Sequence, residues 1–82
     1  MGTMERKVSV TYYGMIAEKL GMATEVIILP SGAINVRECL VQMHPELNNF
    51  TFSTAVDLEY NEILKEEDQP HKIDVMPPFA GG

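Results

Sequence analysis

The residues best placed to do chemistry in this 82-residue chain are its last six, Pro77-Pro78-Phe79-Ala80-Gly81-Gly82. A terminal carboxylate on Gly82 is inert at neutral pH. ATP can convert it to an acyl adenylate, a mixed anhydride from which a nucleophile displaces AMP to leave a thioester, an amide or a thiocarboxylate. Such chemistry asks the protein only for an accessible, unhindered acyl end. Glycine has no Cβ to obstruct a narrow channel or to shield the carbonyl, and Ala80, Gly81 and Gly82 are slim residues in sequence. Pro77 and Pro78 cannot donate to a sheet ladder and hold the backbone extended, so they are expected to carry the chain away from the domain as a stiff stalk. Phe79 offers an aromatic anchor for a pocket on a partner. A bare Gly-Gly end is ordinary fraying; its place after a strand, two prolines and Phe-Ala makes this one specific.

Other reactive side chains have structural readings. Cys39 could carry a persulfide, but it falls on an apolar helix face, where a small buried hydrophobe is expected. His44 precedes Pro45 at a helix end and is expected to bond the free carbonyls there. His71 lies in a polar loop with no neighbouring cysteine, so no metal site is predicted. Glu66, Glu67 and Asp68 read as a solvated turn rather than a cation site. Tyr12 and Tyr13 read as strand packing. No glycine-rich phosphate loop or nucleophile elbow occurs.

The elements that must position the tail follow from periodicity. Lys7 to Tyr13 alternates as a strand, and Gly14 to Leu20 is a short helix closed by Gly21. Thr24 to Leu29 is a second strand, stopped by Pro30-Ser31-Gly32. Asn35 caps the main helix, with Glu38 three residues on, in the manner of a capping box. Val36, Cys39, Leu40 and Met43 form its apolar stripe, and Pro45 ends it. Thr51 to Tyr60 reads as one strand, and Lys72 to Met76 as the last. The expected architecture is α+β, a mixed sheet of four or five strands with one main helix packed across it. Residues 1–76 form the domain, with 1–6 expected to be disordered, and residues 77–82 form an extended tail.

Composition narrows the function. Eighty-two residues make one small domain, and a 45% apolar, 22% charged composition is that of a globular chain. The net charge of −6 is uneven: residues 1–45 carry four acids and four bases, whereas residues 46–82 carry eight acids and two bases. No basic patch exists for phosphate, so nucleic acid is excluded as a partner, and a protein with a basic docking surface is the natural complement. The single cysteine, Cys39, forbids an internal disulfide and agrees with a cytoplasmic setting. No segment has the length and apolarity of a membrane span or the pattern of a signal peptide.

The ending Val75-Met-Pro-Pro-Phe-Ala-Gly-Gly82 resembles that of the small subunit of molybdopterin synthase, one of the MoaD/ThiS-like, ubiquitin-like β-grasp sulfur carriers. Tyr13-Gly14 with Gly21, Asn35-Val36-Arg37-Glu38-Cys39-Leu40, His44-Pro45-Glu46-Leu47 and Ala55-Val56-Asp57 extend the resemblance from about residue 7 to 82. Asp57 stands where that family often has Asn, the segment 66–71 replaces an Asp-Gly-Asp-like loop, and Ala80 stands where Ser or Thr is common. The resemblance implies a β-grasp fold and a subunit that is not an enzyme on its own. An E1-like adenylyltransferase would activate Gly82 with ATP, and a sulfur donor protein would make it a thiocarboxylate. The tail, Pro77 to Gly81, would then enter the large synthase subunit of a heterotetramer and deliver sulfur to a pyranopterin precursor in molybdenum cofactor synthesis. No permanently bound cofactor is implied. Carriers for thiamine or tRNA thiolation, ubiquitin-like modifiers and an inert β-grasp interaction module remain the alternatives.

Overall fold

The computed structural model describes residues 5–77. Alternation produces β1 (Arg6–Tyr12), in which Val8, Val10 and Tyr12 are buried while Lys7 and Ser9 face solvent. The short helix α1 (Gly14–Leu20) ends at Gly21, whose φ of 74° places it in the left-handed region that closes helices. β2 (Thr24–Leu29) returns antiparallel to β1, pairing Arg6 with Leu29 and Thr11 with Thr24. A two-residue strand, β3 (Ile34–Asn35), leads into α2 (Val36–Met43), where the Asn35 side chain accepts from the Glu38 N–H at 3.0 Å. A 3-10 helix, Pro45–Asn49, follows. Then come β4 (Ser53–Val56), β5 (Glu59–Tyr60), β6 (Ile63–Leu64) and β7 (Lys72–Met76).

The main sheet has the order β2-β1-β7-β4-β5, with β1 and β7 parallel and the remaining pairs antiparallel. β3 and β6 form a separate two-stranded ladder. Val8, Val10, Tyr12, Ile27, Leu29, Ile73 and Val75 from the sheet share one core with Ile16, Val36, Leu40 and Leu47. Each such aliphatic side chain contributes about 1.5–3 kcal/mol of burial energy. This is the α+β, β-grasp arrangement.

Four expectations are corrected. The segment read as one strand from Thr51 to Tyr60 is a hairpin, because Asp57 (φ 49°) and Leu58 (φ 72°) both adopt the left-handed conformation that tight two-residue turns require. The Asp57 carboxylate holds the turn by accepting from the N–H groups of His71 and Lys72 at 2.9 and 3.0 Å. Met43, placed on the buried helix stripe, is 41% exposed, since α2 stops there and Leu47 on the 3-10 helix is the residue buried beyond it. The first strand begins at Arg6, within the segment expected to be disordered. That residue is 4% exposed, and its guanidinium donates to the carbonyls of Pro30, Gly32, Lys65 and Asp68 at 2.6, 2.6, 2.9 and 3.2 Å. The His44 side chain does not bond the helix carbonyls; its Nε2 lies 2.7 Å from Glu25 Oε2.

Candidate functional site

β7 is held on both sides, by β1 and by β4, up to the point where the chain leaves it. The Tyr13 N–H donates to the Val75 carbonyl at 3.0 Å, and Met76 pairs with Ser53. Pro77 follows, exposed. A residue with no N–H ends the ladder on its donor side, so the last strand cannot simply run on. Of the residues expected to form the working tail, Pro77 is described at its root; Pro78, Phe79, Ala80, Gly81 and Gly82 lie outside the described residues.

The root is fitted closely to the start of α1. Gly14 has φ 59°, and a Cβ built there would stand 3.4 Å from Pro77 Cγ. Glycine gives the backbone its left-handed turn, and a Cβ there would rest in ordinary contact with the proline ring. Beside it Tyr13 is 43% exposed, and its hydroxyl donates to Asp74 Oδ1 at 3.0 Å. That hydrogen bond is the main reason the phenol is pushed above its ordinary pKa. Asp74 lies on the sheet face turned away from α2 yet is 5% exposed, covered by Tyr13 and by Lys72, whose Nζ is 3.4 Å from the carboxylate. A buried carboxylate needs such partners. The pair Tyr13–Asp74 pins the crossing from β1 to α1 against β7, three residues before Pro77.

A second cluster occupies the same end of the sheet on the helix side. The Tyr12 hydroxyl donates to Glu25 Oε2 at 2.5 Å, and His44 reaches the same oxygen while its ring meets Tyr12 edge-on at 5.8 Å. Burial pushes the Glu25 carboxyl up, but the Tyr12 hydroxyl and then His44 outweigh it, so the net direction is below the usual carboxylate range. Burial and Glu25 push the Tyr12 phenol far up, so it stays a donor. The arrangement ties the end of α2 to β2.

The remaining candidates stay structural. Cys39 is half-buried against the core, and burial followed by Glu38 raises its thiol pKa, which disfavours the thiolate. The His71 side chain is exposed, and its Nδ1 is 4.0 Å from Asp57 Oδ2. Glu66 and Glu67 are exposed, and Asp68 Oδ2 accepts from the Lys65 N–H at 2.8 Å within the turn. Among the described residues no group of three His, Cys, Asp or Glu side chains is placed to hold a metal, and no helix is long and apolar enough to cross a membrane. Two open depressions, one beside Asp57, Glu59 and Asp68 and one beside Arg37, Glu38 and Gln42, are lined by no serine, cysteine or histidine.

Sequence reasoning missed the Tyr13–Asp74 and Glu25–His44 pairs. The alternation of β7 places Asp74 on the outer face, but only the parallel register with β1 brings Tyr13 to it.

No protein-family model matches the sequence, and no curated protein matches it. Among solved structures, one described as "Putative molybdopterin converting factor, subunit 1" from Pyrococcus furiosus aligns with a TM-score of 0.70 at 27% identity, over 90% of this chain and 99% of that one. The chain is therefore similar, in fold and over most of its length, to a MoaD/ThiS-like small protein. The solution structure of a Haloferax volcanii protein aligns with a TM-score of 0.71 over 95% of this chain and 88% of that one; at 13% identity the two share a fold. The root described above is the place where the last strand ends and residues 78–82 begin.

Proposed function

We propose that this chain is a sulfur carrier and the smaller partner in a molybdopterin-forming complex, with Gly82 as its working group. One observation carries the reading: in a chain similar to a converting factor subunit, the last strand sits inside the sheet, pinned on both sides, and releases the chain at an exposed proline five residues before Gly82. A rigid root with a slender end beyond it suits delivery of an acyl group into another protein's active site.

In this reading the Gly82 carboxylate attacks ATP on an activating enzyme, giving acyl adenylate and pyrophosphate. A hydrosulfide equivalent from a sulfur donor displaces AMP and leaves the thiocarboxylate. The tail then enters a larger partner subunit, where sulfur passes to a pyranopterin precursor and water returns the carboxylate. The catalytic side chains belong to the partners. Phe79 anchors the tail, and the acidic second half of the chain steers docking.

Intact-mass spectrometry of protein isolated from its native cells tests this directly. One oxygen replaced by sulfur is expected at the end of the chain; an isopeptide bond to lysine marks a modifier instead, and an unmodified Gly82 under active cofactor synthesis overturns the reading. Deletion of Gly82 is expected to abolish sulfur transfer while leaving the melting temperature nearly unchanged.

A further inference from the structure

β2 forms one margin of the main sheet, and no described strand pairs with its outer edge. The ladder fixes which of its groups face outward. The Tyr12 N–H donates to the Ala23 carbonyl at 2.7 Å, and the register sets Val10 opposite Glu25, Val8 opposite Ile27 and Arg6 opposite Leu29. Antiparallel ladders alternate between hydrogen-bonded and non-bonded pairs. Residues 25, 27 and 29 therefore turn their N–H and C=O groups toward β1, and Thr24, Val26 and Ile28 turn theirs away from it. The same three residues present side chains on the sheet face without α2, with Val26 64% and Ile28 56% exposed.

The two margins differ. β5, at the other side, has two residues, one of them Glu59, and short or charged edges resist further pairing. β2 has six residues, Thr-Glu-Val-Ile-Ile-Leu, with no proline and no charge at its three outward positions. Such an edge is a template for strand addition.

We propose that a second copy of this chain docks here, β2 against β2 about a twofold axis through Val26, joining the two five-stranded sheets into one. The pattern of the strand selects the occupant. Thr24, Val26 and Ile28 are spaced evenly about Val26, so an antiparallel copy sets Val26 opposite its own mate and Thr24 opposite Ile28. Every outward N–H and C=O at these positions then has a partner. A slip of one residue brings inward-turned groups to the seam, and a slip of two toward the end of the strand brings in Pro30, which has no N–H to give. Charge agrees with this choice. Residues 1–45 are neutral in sum while residues 46–82 carry the whole −6, and Asp57 and Glu59 lie toward the far margin, so two copies repel each other least when they join through β2. β1 separates the seam from β7, which leaves both tail roots clear.

Sedimentation of the full chain over a concentration series tests the proposal. A monomer–dimer equilibrium is expected, strengthened by added salt as screening weakens the repulsion between acidic copies. Hydrogen exchange should show amides 24, 26 and 28 gaining protection with concentration while 25, 27 and 29 are protected throughout. Val26→Lys and Val26→Glu each set like charges opposite one another across the axis and should weaken self-association at least tenfold. An equimolar mixture of V26K and V26E should restore it. Position 26 is exposed, so both variants should keep the circular dichroism of the parent. A chain that stays monomeric to millimolar concentration overturns the proposal. So does a dimer in which those three amides exchange unchanged or which V26K does not weaken.

Discussion

The two ends of the sheet are closed in different ways. At the end where β1 begins, a single buried cation gathers the chain: Arg6 donates to carbonyls from the loop after β2 and from the acidic turn before β7. Among the described residues no carboxylate pairs with it, and the carbonyl dipoles of segments up to 62 residues away take that role. At the other end, where β7 releases the tail, the ties are side-chain pairs, Tyr13 with Asp74 and Tyr12 and His44 with Glu25, together with the contact of Gly14 and Pro77. One end is knotted for stability. The other is pinned only as far as the root, and chemistry is proposed beyond it.

If this contrast holds, Arg6→Ala should be the most damaging single change described here for stability. It removes a buried charge-assisted network and should cost about 3–5 kcal/mol by urea denaturation, while sulfur acceptance by the folded fraction is retained. Gly14→Ala should cost less, about 1–2 kcal/mol, from left-handed backbone strain at φ 59°; chemical-shift changes should centre on the turn at residues 13–15 and on Pro77 beside it. A loss as large as that of Arg6→Ala would break the contrast. The Glu25 cluster sharpens it through pH. Because the folded carboxyl lies below its unfolded range, its contribution is present above that range and is lost as pH falls through the folded value. The stability difference between the parent and Glu25→Gln should therefore shrink between neutral pH and about pH 3, by no more than about 1 kcal/mol. Cys39→Ala should matter least, costing under about 1 kcal/mol and leaving sulfur transfer intact, since the half-buried thiol only fills space.

Periodicity made much of this legible. β2, α1 and β7 keep the limits that alternation, Gly21 and the Pro77-Pro78 pair suggested, because each carries a full period of pattern. β3 and β6, at two residues each, are too short to show any period. The hairpin was hidden because Leu58 takes a conformation that leucine seldom adopts, so Asp57-Leu58 lacks the usual glycine mark of a turn. Arg6 was illegible for another reason: its acceptors are backbone carbonyls, which every residue possesses, and only tertiary structure selects four of them. Gly14 is legible as the start of α1 and as part of the resemblance, but the positive φ that calls for glycine there shows only in the structure.

The parallel pairing of β1 with β7 has a mechanical consequence. Chain enters the domain at one end of this pair and leaves at the other, so traction on the tail is carried along the strands. The hydrogen bonds joining Ser9–Tyr12 to Lys72–Val75 would then be loaded together in shear, not peeled apart one at a time. An enzyme that hauls the tail into a narrow tunnel would thus pull against the stiffest direction of the body.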